Sequence, residues 1–187
     1  MPADSAPITN QTAAPLRLGL LVDTLAQPRW VLWALSRVFE QGLAVPALVI
    51  VNAAGSSPAE RANQQGTLAR LRAKRGSLAY GLYSRIDRWR FPVADDPLAR
   101  EDLTPLIGDA PRLVVSPRST TYSDYFPDEA VERILDAKLD LALRLGFRIL
   151  RGRALGIARL GVWSYHHGDN RVNRGGPPGF WEVVEGH

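Results

Sequence analysis

Leu16-Arg-Leu-Gly-Leu-Leu-Val-Asp23, followed by Pro28 to Glu40 and then Val45 to Val51, is the stretch that decides the fold. The first segment is a compact apolar run ending in an acid. The second brings Trp30, Val31, Trp33, Ala34 and Val38 at helical spacing and closes at Gly42, and the third is again apolar. Strand, helix, strand is a βαβ unit, which predicts a parallel sheet with a right-handed crossover. Ligands of such folds bind at the carboxyl ends of the strands. The first of these loops, Asp23 to Arg29, contains no glycine. Backbone amides cannot close on a phosphate there, so a dinucleotide fingerprint or P-loop is excluded. Asp23 can bind an acceptor amine or a sugar hydroxyl, or it can simply end the strand.

Farther along, Arg112 to Ser116 predicts another strand and Asp128 to Leu135 a helix with two acids in its first turn. Leu139 to Leu145 alternates leucine with Asp140, Ala142 and Arg144, a strand pattern running into Gly146-Phe147. Between them, Pro117-Arg-Ser-Thr-Thr-Tyr-Ser-Asp124 offers hydroxyls for polar recognition or for capping turns. Residues 92 to 111, rich in Pro and Asp, read as a connection, and residues 52 to 66 as a loop entering a helix. Leu68, Leu71, Leu78, Leu82 and Ile86 carry a helical stripe among Arg70, Arg72, Lys74, Arg75, Arg85, Arg88 and Arg90. Those cations can draw in an anionic acceptor, or they can be a solvated face; the signature of an RNA-binding module is missing.

Composition bounds the class. A chain of 187 residues, 45% hydrophobic and 22% charged, can bury a core as one α/β domain. Residues 1–15 are polar and proline-bearing, and we read them as a disordered lead to a domain over 16–187. They lack the pattern of a secretory signal, and no apolar run approaches membrane-span length, so a soluble, cytoplasmic protein without a membrane partner is expected. The absence of cysteine removes disulfides and thiolate chemistry. A net charge of +4 with pI near 9.8 favours contact with anions such as nucleotides, phosphosugars or nucleic acid, or is simply a generally basic, soluble surface.

The last quarter has the composition of a site. Gly161-Val-Trp-Ser-Tyr-His166 reads as a strand, with Ser164 and His166 on one face and Tyr165 and His167 on the other. A Gly/Pro-rich loop then runs from Gly168 to Phe180 before Trp181. Adjacent strand histidines point apart, so His167 and Asp169 do not make a metal site, and no metal is expected.

At these residues the chain resembles the formyltetrahydrofolate-dependent formyltransferases, which include the glycinamide ribonucleotide, methionyl-tRNA and amino-sugar enzymes. The carriers of the resemblance are His166 and Gly175 nine residues apart, Arg174, Pro178, the helix position of Trp181, and the upstream Leu145-Gly-Phe-Arg-Ile-Leu150. It covers residues 111–187 well, and 16–52 only as a generic first βαβ unit. It implies a three-layer, Rossmann-like, mostly parallel α/β sheet of formyltransferase type. It also implies 10-formyltetrahydrofolate as co-substrate, held by the backbone of Phe147, Arg148, Ile149 and Leu150. In that scheme His166 stabilises the negative oxygen of a tetrahedral intermediate, with Ser164 adding a hydroxyl. Asp169 is the candidate for proton transfer and Arg174 for a folate glutamate or an acceptor phosphate. The acceptor implied is an amino sugar, free or nucleotide-linked, because the glycine-free first loop argues against glycinamide ribonucleotide. A tRNA acceptor would call for an appended basic domain, so nucleic acid is not expected; a homo-oligomer is left open.

Ser164 stands where the family has Asn, and His167-Gly168 where it has Pro-Ser. The family's catalytic Asp lies beyond the Trp helix, past His187, so no residue here matches it by position, and Asp169, three residues past His166, is the candidate to replace it. The expectations are therefore a longer natural chain or an altered activity, and the competing class is a binding module that keeps the fold without catalysis.

Overall fold

The computed structural model describes residues 14–54, 78, 81–91, 94–165 and 180–186. Its centre is a five-stranded sheet in which every pairing is parallel: β1 (Leu16–Val22), β3 (Ala44–Asn52), β5 (Arg112–Val115), β8 (Leu141–Arg144) and β10 (Val162–Ser164). The spatial order is β10-β8-β1-β3-β5. From β1 the chain winds outward to β3 and β5, then returns to lay β8 and β10 on the other side of β1. The winding direction therefore reverses between β1 and β8, and this is the topological switch point of an open α/β sheet. The protein has the three-layer, Rossmann-like architecture expected of the sequence.

Both faces of the sheet are covered, which explains why β1 reads as a continuous apolar run. Leu18, Leu20 and Val22 turn to one face, where they meet Val31 and Leu35 of α1 (Arg29–Glu40) together with Leu103 and Ile107. Leu21 turns to the other, joining Ile50, Val115 and Ala142 against Val131 and Ile134 of α4 (Asp128–Asp136). Burying a side chain of this size contributes roughly 2 kcal/mol, so the two layers are the main source of stability. Gly42 ends α1 at φ 66°, letting Leu43 N–H donate to Val38 O at 3.1 Å. Of the apolar residues at helical spacing in α1, Trp33 is 50% exposed; the buried pair is Val31 and Leu35, four apart, and Trp33 lies between them in sequence but round the helix.

Several elements differ from the sequence reading. The loop after β1 and the 92–111 connection pair with each other as β2 (Ala26–Pro28) and β4 (Arg100–Asp102), antiparallel, before a short helix α3 (Thr104–Ile107). Three-residue strands carry no periodicity long enough to read. The β1–β3 register slips between Leu18 and Gly19, opposite Pro46, which has no N–H for the ladder. The hydroxyl-rich loop is a hairpin, β6 (Arg118–Ser119) and β7 (Ser123–Tyr125), with β9 (Ile149–Arg151) added parallel to β7. Thr120 Oγ1 accepts from Ser123 N–H at 3.0 Å, so these hydroxyls shape the turn. The strand expected over 161–166 stops at Ser164. Residues 81–90 are helical (α2), and α5 (Phe180–Glu185) places the backbone of Trp181 in a helix. The expected lead up to residue 13, the loop and helix start over 55–66, Leu68 and Leu71 lie outside the described residues.

Candidate site at the switch point

Asp23 follows β1 directly, Asn52 ends β3, Arg144 ends β8 and Ser164 ends β10. Four strands thus deliver four polar side chains to one edge of the sheet, the edge at which such folds take ligands. The loop 145–148 folds across this edge onto the end of β1. Leu145 and Gly146 both donate their N–H to Leu21 O, at 2.8 and 2.9 Å. A Cβ on Gly146 would lie 2.2 Å from the Asp23 nitrogen and 2.7 Å from the Val22 carbonyl carbon, so only glycine fits.

Two carboxylates fix the next two amides. Phe147 N–H donates to Asp23 Oδ1 at 2.9 Å, and the same oxygen accepts from Asn52 Nδ2 at 2.8 Å. Arg148 N–H donates to Asp124 Oδ2 at 2.8 Å, while Ser119 Oγ–H donates to Asp124 Oδ1 at 2.6 Å. Asp124 is 1% exposed and fully engaged. Ile149 N–H goes to Tyr122 O at 3.1 Å. Phe147 adopts φ 63°, a conformation costly for an aromatic residue, on the order of 1–3 kcal/mol. Its amide bond to Asp23 and its ring, 5.1 Å from that of Phe126 in the core, hold it there.

Arg144 joins the 145–148 loop to the end of β10. Its Nη1 donates to Phe147 O at 3.2 Å and to Arg148 O at 3.1 Å, and its Nη2 donates to Ser164 Oγ at 2.7 Å. Burial pushes the guanidinium below its ordinary value, and the charges of Asp23 and Asp124 oppose that shift. Just past Ser164, the Tyr165 ring lies 5.2 Å from that of Trp30 in the first turn of α1. This contact ties the outer strand to the helix that follows the first loop.

The sequence-predicted residues are placed unequally. Asp23, Phe147, Arg148 and Ser164 come together around Arg144. The side chains of Phe147 and Leu150 belong to the hydrophobic core and Ile149 is exposed. The Arg148 side chain reaches back to Thr120 O. Five successive amides, 145 to 149, are bonded internally, and the carbonyls of Phe147 and Arg148 accept from Arg144, so the loop's own hydrogen bonds are what fix its shape. His166, His167, Asp169, Asn173, Arg174, Gly175 and Pro178 lie outside the described residues. Sequence reasoning missed Asn52 and Arg144, and it marked Ser119 and Asp124 only as members of the polar 117–124 loop. Asn52 and Arg144 had a usable signal, a polar residue closing an apolar strand. Asp124 had none, because a buried carboxylate in a polar loop looks like any turn residue.

Among the described residues no three His, Cys, Asp or Glu side chains group as a metal site, and no helix is long and apolar enough to cross a membrane. The fold and this edge define a Rossmann-like α/β domain with a polar, arginine-centred switch point. No family model, curated protein or solved structure matches the chain.

Proposed function

We propose that this domain transfers a formyl group from 10-formyltetrahydrofolate to the amine of an amino sugar, free or nucleotide-linked. The observation that supports the reading is the Arg144 bridge. One guanidinium links the carbonyls of Phe147 and Arg148 to the hydroxyl of Ser164, so the 145–150 loop and the end of the strand that leads toward His166 meet at the switch point although they are separate in sequence. In this scheme the imidazole of His166 donates to the oxygen on which charge develops, and Ser164, oriented by Arg144, lies two residues before it. The acceptor nitrogen adds to the formyl carbon to give the tetrahedral intermediate, and the bond from that carbon to the folate nitrogen then breaks as the folate nitrogen receives the proton that the acceptor amine gave up. Asp169 takes the proton released by the acceptor amine, and Arg174 meets an anionic group of folate or acceptor. Asp23 keeps the loop closed on β1 and in this scheme is the residue at the switch point that faces the acceptor. The same reading places the protein in the cytoplasm, where folate and nucleotide sugars are.

Calorimetry with a stable 10-formyltetrahydrofolate analogue tests it on the wild type and on His166→Ala. The expected result is binding by both, with formyl transfer to an amino sugar lowered about 100- to 1000-fold in the variant. A folded wild type that does not bind the analogue removes the proposal. Binding without transfer to any amino sugar selects the alternative, a non-catalytic binding module; the internal use of the loop amides favours that reading.

A further inference from the structure

Helix α2 carries a surface that the site does not use. Over Gly81-Leu-Tyr-Ser-Arg-Ile-Asp-Arg-Trp-Arg-Phe91, Leu82, Ile86 and Trp89 stand four and three residues apart and share one helical face. They are not core: Leu82 is 63%, Ile86 53% and Trp89 80% exposed, and Leu78, Tyr83 and Phe91 are exposed as well. The arginines are arranged around this face. Arg85 follows Leu82 by three positions and Arg90 follows Ile86 by four, so the stripe has a cation along each side. Ser84, Asp87 and Arg88 occupy the back, where Arg88 Nε donates to Ser84 O at 3.1 Å. Asp87 is the sole acid between positions 61 and 90 of the sequence, against eight arginines and lysines.

A monomer seldom leaves such a cluster of large apolar side chains in water without a use for it. The occupant has to supply an apolar medium under the stripe and dense negative charge beside it. Nucleic acid gives the charge, but Leu82 and Ile86 have no counterpart among phosphates and base edges. A second copy of this chain has an apolar groove lined by Leu32, Trp33, Pro105 and Leu106, but its acids are only Glu101 and Asp102, and Glu101 is already paired with Arg29 at 2.6 Å. An anionic bilayer surface meets both demands. Its acyl boundary accepts leucine, isoleucine and tryptophan, and its phosphates lie at the level that flanking arginines reach. We propose that residues 81–90 form an interfacial amphipathic helix that docks this protein on membranes rich in anionic lipid. The helix lies in the headgroup plane and does not span the bilayer.

The test is co-sedimentation of the full chain with vesicles of phosphatidylcholine alone and of phosphatidylcholine mixed with phosphatidylglycerol. Wild type should partition to the anionic vesicles at least about tenfold more strongly, and added salt should weaken the binding. The Leu82→Glu/Ile86→Glu variant should lose that binding by about tenfold or more while keeping its near-UV circular dichroism, since both sites are solvent-facing. A second variant, Arg85→Gln/Arg88→Gln/Arg90→Gln, should lose the preference for anionic lipid. Equal binding to both vesicle types, or wild-type binding by either variant, overturns the proposal. So does a dimer in sedimentation equilibrium that the Leu82→Glu/Ile86→Glu change dissociates without any vesicle binding by the wild type.

Discussion

The two ends of β8 are each held by aspartate and arginine, but in opposite ways. At the amino end Asp140 accepts from Arg17 N–H at 2.9 Å and from Arg159 Nε at 2.8 Å, on the surface. At the carboxyl end Asp23 and Asp124 accept loop amides beside a half-buried Arg144, and the backbone there includes Phe147 in the left-handed region and a glycine with no room for a methyl group. Surface pairs at one end fasten strands that would pair anyway. At the other, buried polar bonds hold a loop in a shape it would not choose, on the side where α/β sheets meet their ligands.

The largest effect should come from Gly146→Ala. The added Cβ meets backbone of Val22 and Asp23, which cannot step aside, so the loop must lift off β1, at a cost of roughly 3 kcal/mol or more. A urea midpoint unchanged from wild type would show that the loop is not held as described. Next is Asp124→Ala, which leaves Arg148 N–H and Ser119 Oγ without their shared partner; a loss of roughly 2 kcal/mol is expected in the same experiment. A smaller effect, about 1 kcal/mol, is expected of Gly19→Ala, because the new Cβ meets the methyl end of the Leu139 side chain, which can rotate away. If Gly19→Ala proved the more damaging of the two glycine changes, the contrast between the ends would fail.

The mildest prediction concerns the amino end. Backbone and side-chain hydrogen bonds from Arg17 and Arg159 lower the pKa of Asp140 from its ordinary 3.8. A carboxyl depressed in the folded state stabilises it fully above that ordinary value, and the contribution is lost as pH falls through the folded-state value below it. Denaturation midpoints from neutral pH down through the carboxylate range should therefore drop less steeply for Asp140→Asn than for wild type. Parallel acid limbs would mean that Asp140 is no better held than a free carboxylate.

The architecture was readable because its signals are long. The runs at 16–23, 45–51, 112–116 and 139–145 each bury apolar residues, and helices at 28–40 and 128–135 repeat at the helical period, so the βαβ order and the parallel sheet followed. Short ladders escaped: β2 with β4, and β7 with β9, are three residues per strand and exist because distant segments meet. Which apolar residues of α1 face the sheet was not legible, because hydrophobicity alone does not separate the half-exposed Trp33 from the buried Val31 and Leu35. At the site, Asp23, Phe147, Arg148 and Ser164 were named from sequence and come together. Arg144 was seen only as a polar residue of an alternating strand, although it is what joins them.

The order of apolar segments along the chain determined an open α/β sheet by itself, because burial on two faces demands continuous strands and one-sided helices. Tertiary structure decided which strands became neighbours, and with that placed the reversal of winding between β1 and β8. Only that placement brings Asp23, Asp124 and Arg144 within hydrogen-bonding distance of one loop. Such bonds depend on separations of about 3 Å between residues scattered along the chain, and no local pattern of residue types encodes a distance of that kind.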